Sequence, residues 1–536
     1  VRALDGVQNL MPYGITRALQ SERSVLADAY KKSERVPGLP CGVFALSAIP
    51  VDRAEPSEAL MATTVWSAGI EPDVVLLSTR QLDRFRAGHA VEAEDVVLAE
   101  RGAYFVHARL ALAPGESRDW VTVADIEQDA ADVVRLADTL GDPGALRESL
   151  HHDIEAGTER LRSFVAGADG EQRTGEPMTT ARHRMNVLFN LMRGGVFDEG
   201  YSVVREDVRA FVAHHNAPVA ERHADLFDAL PERVTFQALL EAARSGGPQL
   251  ERLCASYLPL SFSRRHGDPS RPWNHFSIDL RNEDGSIKRG YEGNWRDIFQ
   301  NWEALGRSYP GYLEGMIATF VNASTADGYN PYRITDEGID WEVIEPDDPW
   351  SYIGYWGDHQ ILYLLRLLVL LREHEPARLG ALLGERRFSY ANVPYSIKPY
   401  ADLLRDPHDT VVFDAELERE IEARVEATGA DGKLLWDADG SVRLVTFAEK
   451  LLVPLLAKLT NFVPEGGIWM NTQRPEWNDA NNALVGHGVS MVTLFAVRRY
   501  LAFLRDLLDD APGGTAQISA EVADLPHPSA VWVGWT

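Results

Sequence analysis

Between Ile361 and Leu371 the chain is aliphatic at every position except Tyr363 and Arg366. The run is too short for a membrane span, which needs roughly 20 apolar residues. Read at helical period, the segment 359–373 is apolar nearly all round. A helix of that kind must be buried on most of its sides. It therefore needs other helices packed about it, in concentric layers rather than a simple amphipathic bundle.

The rest of the second half supplies them. Apolar residues at helical spacing predict helices at 180–192, 203–214, 219–229, 234–245, 311–322, 413–427, 444–460 and 481–508. Pro454 inside the 444–460 pattern predicts a kink or a break, because proline lacks the N–H that helix propagation needs. The first part of the chain reads differently. Tyr104, Val106, Ala108, Leu110 and Leu112 recur every second residue, as on one face of a strand. Val43–Ile49, Ala62–Trp66, Asp73–Leu77 and Asp119–Ala124 read the same way, with Ala113-Pro-Gly-Glu116 as a turn. From about residue 126 the period changes: Ala130, Val133, Val134, Ala137 and Leu140 mark one helix and Leu146–Val165 another. The expected organisation is a β-sandwich portion over 1–125, a helical linker over 126–177 and a mainly α region over 178–536.

Net charge is −27, which opposes the basic footprint that nucleic acid or an anionic membrane surface would require. Neither is expected as a partner. Two cysteines, Cys41 and Cys254, cannot build a disulfide framework or a cysteine-rich zinc site; they fit a reducing compartment, with the cytoplasm as the expected one, or a fold indifferent to redox state. A start at Val1 and a strand-like finish over Val531–Thr536 suggest an excerpt or a processed chain. No HExxH, P-loop or GxSxG pattern is present, so zinc peptidase, nucleotide and serine hydrolase readings have no support. No EF-hand spacing is present, and no cofactor or metal is called for.

Chemistry-bearing residues gather in four stretches between helices. The first runs from Arg271-Pro-Trp-Asn-His-Phe276 to Gly290-Tyr-Glu-Gly-Asn-Trp-Arg-Asp-Ile-Phe-Gln300. The second is Asp327-Gly-Tyr-Asn-Pro-Tyr-Arg333 with Asp340-Trp-Glu342. The third is Tyr352-Ile-Gly-Tyr-Trp-Gly-Asp-His-Gln360, and the fourth is Asn471-Thr-Gln-Arg-Pro-Glu-Trp-Asn-Asp-Ala-Asn-Asn482. Singly, each reads as a solvated loop or a helix cap. Together they hold carboxylates, amides and guanidinium groups suited to hydroxyls, and indoles suited to sugar ring faces. Such a mixture suits a site around a glycosidic bond, where a pair of carboxyl groups acts.

In these blocks the chain resembles glycoside hydrolase family 94, the cellobiose and chitobiose phosphorylase group with its cyclic glucan synthase relatives. Arg296-Asp297-x-x-Gln300 matches a block that opens a helix in that family. Gly328 and Gly357-Asp358-His359 stand at the places of a Gly-Asp block and a paired-acid block. Trp477-Asn478-Asp479-Ala-Asn-Asn482, followed by Gly486 to Gly488, matches the block whose Asp is the general acid. The resemblance implies an (α/α)6 barrel behind a β-sandwich and a helical linker. It also implies an inverting enzyme that cleaves or phosphorolyses β-glucosides or β-glucan oligosaccharides, with inorganic phosphate as an optional co-substrate.

By that resemblance Asp479 is the general acid, with Glu476 as the neighbour that helps it keep its proton. Arg296, Asp297, Gln300, Asp358, His359 and Asn478 hold sugar hydroxyls, and Trp295, Trp356 and Trp477 flank the rings. Hydrolysis would need a second carboxylate to hold water, for which Glu342 in the acidic loop Glu342–Asp348 is the candidate. The chain departs from the family in three ways, one of them a short sandwich, confined to residues 1–125. His359 replaces one of the paired acids, and only a short stretch follows Asp479, where the family carries its phosphate-binding residues further downstream. A transglycosylase and a non-catalytic carbohydrate-binding region of a larger protein stay open, as does a homodimer.

Overall fold

A computed structural model of the chain describes residues 1–50, 57–263, 277–278, 280–282, 286–331, 333–341, 360–406, 409–469, 488–510 and 516–524. Helix outweighs strand, 48% against 21%, and the strands form several small sheets. The chain divides into two compact units, Val1–Arg160 and Leu161–Thr536.

The first unit is built on two antiparallel sheets. Its strands are β1 (Arg2–Leu10), β2 (Lys31–Arg35), β3 (Cys41–Leu46), β4 (Ala62–Ala68), β5 (Val74–Leu76), β6 (Val96–Leu98), β7 (Gly102–Arg109) and β8 (Val121–Gln128). One sheet has the order β1-β7-β5 and the other β6-β2-β3-β4-β8. Tyr104 and Val106 of β7 pack with Val75 of β5 against Phe44 of β3 and Val65 of β4, so the two sheets share an apolar layer. The alternation at 104–108 is the sequence image of that layer. The strand ends at Arg109, leaving Leu110 and Leu112 beyond it. On the far face of the larger sheet, Cys41, Trp66 and Ala68 meet Leu140 and Leu146 from helices Ala130–Leu140 and Pro143–Gly167. Coverage on both faces explains why β4 is buried along its whole length. Both cysteines are buried and free. Desolvation pushes each thiol up to about 12, so neither offers a thiolate near neutrality.

The second unit is mainly helical and holds the largest core. Its centre is the helix Gln360–His374, in which Leu364, Leu367 and Leu368 are fully buried. That helix packs against Trp295–Ser308, Leu313–Asn322, Pro376–Leu382 and Met491–Asp510. Each leucine so enclosed contributes about 2 kcal/mol of transfer free energy. Arg366, the one charge in the run, escapes to Glu303 of Trp295–Ser308, with Nε to Oε2 at 2.6 Å. Phe447–Leu459 is a single helix in spite of Pro454. Proline deprives the Lys450 carbonyl of its partner four residues on. Burial of the helix on nearly every side holds it together across that gap. The 219–229 pattern forms two short helices, Ala217–Arg222 and Ala224–Ala229, and Pro248–Ser256 adds a helix that the pattern did not indicate.

A buried polar knot ties distant parts of this unit together. Asp431, in the turn Ala430–Lys433, accepts from Arg252 (Nη1 to Oδ1 3.1 Å) and from Asn216 Nδ2 at 2.8 Å. Arg252 and Asp431 are 4% and 2% exposed, so the pair is screened by almost no water. Gly429, at φ +101°, lies so close to the His214 carbonyl that a Cβ would come within 2.2 Å of it. Beside the knot, His215 stacks on Phe211 with ring centroids 4.1 Å apart, and its Nδ1 meets the Phe211 carbonyl at 2.9 Å. Desolvation pushes the His215 pKa down to about 4, against the opposing pull of Asp431 and the Phe211 carbonyl. His214 and Arg252 act in the same direction as burial.

The folded chain thus favours neutral imidazole, whereas the unfolded chain takes up a proton near pH 6.5. The stability carried by the neutral ring is complete above about pH 6.5 and is lost as pH falls toward about 4. His215→Gln is expected to flatten the stability curve across that window, as read by urea unfolding at a series of pH values. An acid limb as steep as that of the wild type would show that His215 is not its source.

Candidate functional site

Of the residues expected at the site, Gln300 has its side chain described. It is exposed, on the helix Trp295–Ser308. Trp295, Arg296 and Asp297 form the opening turn of that helix, and their side chains lie outside the described residues, as do all atoms of Glu342, Trp356, Asp358, His359, Glu476, Trp477, Asn478 and Asp479. The described structure therefore shows where the four blocks are anchored.

The first two blocks leave from one small sheet. Strands Glu292–Asn294, Arg333–Thr335 and Gly338–Asp340 pair antiparallel, with Asn294 opposite Arg333 and Arg333 opposite Asp340. The outer two strands run in the same direction and end at the same edge. Neighbouring strands lie about 4.8 Å apart. The chain that enters the Arg296 helix and the chain that leads toward Glu342 thus start roughly 10 Å from one another. Arg333 binds both outer strands, through Glu292 at 2.7 Å and Asp340 at 2.5 Å. Next along, Trp341 donates from Nε1 to Glu418 at 3.1 Å and lies under the Lys433 ammonium at 5.0 Å. Burial raises the Glu418 carboxyl above its usual range. Glu418 sits within the helix Ala415–Thr428, where nothing in the amino-acid pattern distinguishes it from its acidic neighbours.

The second block is also fixed to the base of the fourth. Thr325 donates to Asp327, and its N–H meets the Tyr329 carbonyl at 2.8 Å. Gly328, at φ +84°, presses on Phe447–Leu459: a Cβ there would stand 2.5 Å from Ala457 and 2.9 Å from the Val453 carbonyl. Glycine alone meets both conditions without strain. Lys458 of the same helix lies 4.9 Å over the Tyr329 ring, and Asn461 Nδ2 reaches the Tyr329 hydroxyl at 3.5 Å. The Asn461 carbonyl accepts from the Trp469 N–H at 2.7 Å. Trp469 is the cross-strand partner of Val489. Residues 470–487, which carry the Trp-Asn-Asp block, therefore leave from and return to a single β-pair. Ser490 then caps the next helix through Thr493 N–H at 3.1 Å.

The helices that follow the first, third and fourth blocks are neighbours: Trp295–Ser308 packs on Gln360–His374, which packs on Met491–Asp510. Arg372 lies 4.3 Å over the Phe503 ring, and both residues are about 18 Å along their helices. Glu303 and Arg366, which pair, are about 12 and 9 Å along theirs. Each pair thus meets at a similar distance from the starts of its two helices. Among the described residues no group of acidic, histidine or cysteine side chains is arranged to hold a metal, and no helix is long and apolar enough to cross a membrane.

No curated protein matches the chain. Residues 197–259 match the model of Glycoside hydrolase family 149 insertion domain 1. In the structure this stretch holds the helices Arg205–His215, Ala217–Arg222, Ala224–Ala229, Phe236–Ser245 and Pro248–Ser256, and the paired strands Ser202–Val204 and Arg233–Thr235. The match links the chain to proteins of glycoside hydrolase or phosphorylase type and does not single out family 94.

Proposed function

We propose that the chain is the catalytic portion of an inverting β-glucan-active enzyme, a phosphorylase or hydrolase, with Asp479 as general acid. The observation that carries this reading is the common anchorage of all four blocks around Trp295–Ser308, Gln360–His374, Phe447–Leu459 and Met491–Asp510. The family 149 match supports it, since that family is one of β-glucan phosphorylases. Residues 178–536 form the catalytic region, an (α/α)6 barrel with the blocks at one mouth.

The chemistry follows from what glycosidic cleavage demands. The departing sugar oxygen is a poor leaving group until it is protonated, so Asp479 must hold a proton near neutrality. Glu476, three residues before it, raises the cost of ionising both carboxyls together. Arg296 offers a planar fork of donors to hydroxyls, and it orients Asp297 to accept from others. Gln300, Asp358, His359 and Asn478 add further polar contacts, while Trp295, Trp356 and Trp477 flank the rings. When inorganic phosphate is the nucleophile, no protein base is required. When water attacks, Glu342 holds it from the opposite face, which inverting hydrolysis places about 6.5–9.5 Å from the acid.

Incubation with β-glucosides and β-glucans, with and without phosphate, tests the reading. A sugar 1-phosphate formed only with phosphate marks a phosphorylase, and free sugar in both arms marks a hydrolase. Lengthened glucans alone would mark transglycosylation. No product on any substrate in either arm would end the catalytic proposal.

A further inference from the structure

We propose that the groove between helices Pro177–Gly194 and Trp295–Ser308 binds β-linked glucan units lying beyond the bond that is cleaved; the choice of ligand rests on the glucan reading above. The groove encloses about 510 Å³ and includes Gln300 in its wall. Sites for organic ligands commonly span about 300–1,000 Å³.

Five amides line this groove; Asn301 is buried and already engaged, and the other four are Gln172, Asn186, Asn190 and Gln300. None of the four side chains makes a hydrogen bond among the described residues. Asn186 and Asn190 stand one turn apart inside a long helix, where asparagine is a poor choice because its side chain competes for backbone partners. They cap no end of that helix. A side-chain amide both donates and accepts, as does each sugar hydroxyl, so a row of uncommitted amides suits a neutral polyhydroxylated ligand. Val187, Leu191 and Leu305 supply an apolar floor for the C–H faces of the rings. Charge in the wall is of both signs: Arg307 lines it together with Glu303 and Asp169, and Asp169 already accepts from Ser308 at 2.8 Å. A strongly charged ligand gains little there. Gln300 lies one helical turn after Arg296, so a glucan held near Arg296 can continue along the groove.

The test is calorimetric titration of the full chain with cellohexaose and with β-1,3-linked glucohexaose. Asn186→Ala combined with Asn190→Ala is expected to weaken binding of one or both by at least about tenfold. Its melting temperature should be no lower than that of the wild type, because alanine is the better helix former. Ala304→Trp, which fills the groove from the opposite helix, is expected to weaken binding comparably. Variants that bind both hexaoses as tightly as the wild type would overturn the proposal, and so would a wild-type chain that binds neither. Groove-dependent binding without turnover would leave the groove standing and remove the catalytic reading. Turnover with groove-independent binding would do the reverse.

Discussion

Asp479→Asn is expected to abolish cleavage of unactivated β-glucosides while leaving the fold intact. Asparagine is nearly isosteric with aspartic acid but has no proton to give to the departing oxygen. General acid assistance is typically worth about 10²–10⁴-fold in rate, and natural glycosides, with their poor leaving groups, depend on it most. The loss should therefore shrink on glycosyl fluorides or nitrophenyl glycosides, whose leaving groups depart without protonation. The measurement is kcat/KM on both substrate types, with a thermal melt as the folding control. Equal impairment on both would assign Asp479 to binding or structure. Full activity on natural glycosides would remove it from the mechanism.

Asp431→Ala is expected to destabilise the second unit by about 3–5 kcal/mol, the usual cost of breaking a buried ion pair from one side. The side chains of Arg252 and Asn216 would both lose their buried carboxylate partner. The loss is larger than the pair's net worth, because most of it is the cost of a buried, uncompensated guanidinium. Replacing both partners with apolar residues of similar size, Arg252→Met with Asp431→Leu, should recover much of the stability. Urea unfolding of the three proteins decides it. A single variant within about 1 kcal/mol of the wild type would mean that water reaches Arg252 when the carboxylate is gone.

These two predictions draw on different depths of sequence information. Asp479 stands in a block that can be read directly, whereas Asp431 and Asn216 are 215 positions apart and carry no local mark of their meeting. The same division runs through the fold. The apolar run at Ile361–Leu371 and the alternation at Tyr104–Ala108 declared their elements because each is repeated over enough residues to reveal a period. The strands Glu292–Asn294, Arg333–Thr335 and Gly338–Asp340 are too short to show one, yet they bring parts of the first two blocks together. Pro454 did not break its helix, since a local penalty was outweighed by burial along most of it. For the proposed site, the residue types were legible in the sequence blocks. Their common anchorage was not, because it depends on contacts such as Lys458 over Tyr329 and Asn461 with Trp469. Asn186 and Asn190 did leave a local trace: two asparagines one turn apart in a helix, which a closer reading of propensity would have picked out.

The pairing of Trp469 with Val489 gives the region between them a kind of modularity. Trp469 and Val489 stand opposite each other across a single strand pair, so the chain leaves that pair and returns to it whatever number of residues lies between. Doubling a flexible stretch between fixed ends adds only about 0.6 kcal/mol of closure entropy, little beside the several kcal/mol that hold a domain folded. A lineage could therefore change the number of residues between positions 469 and 489 at little entropic cost to the strand pair that joins them.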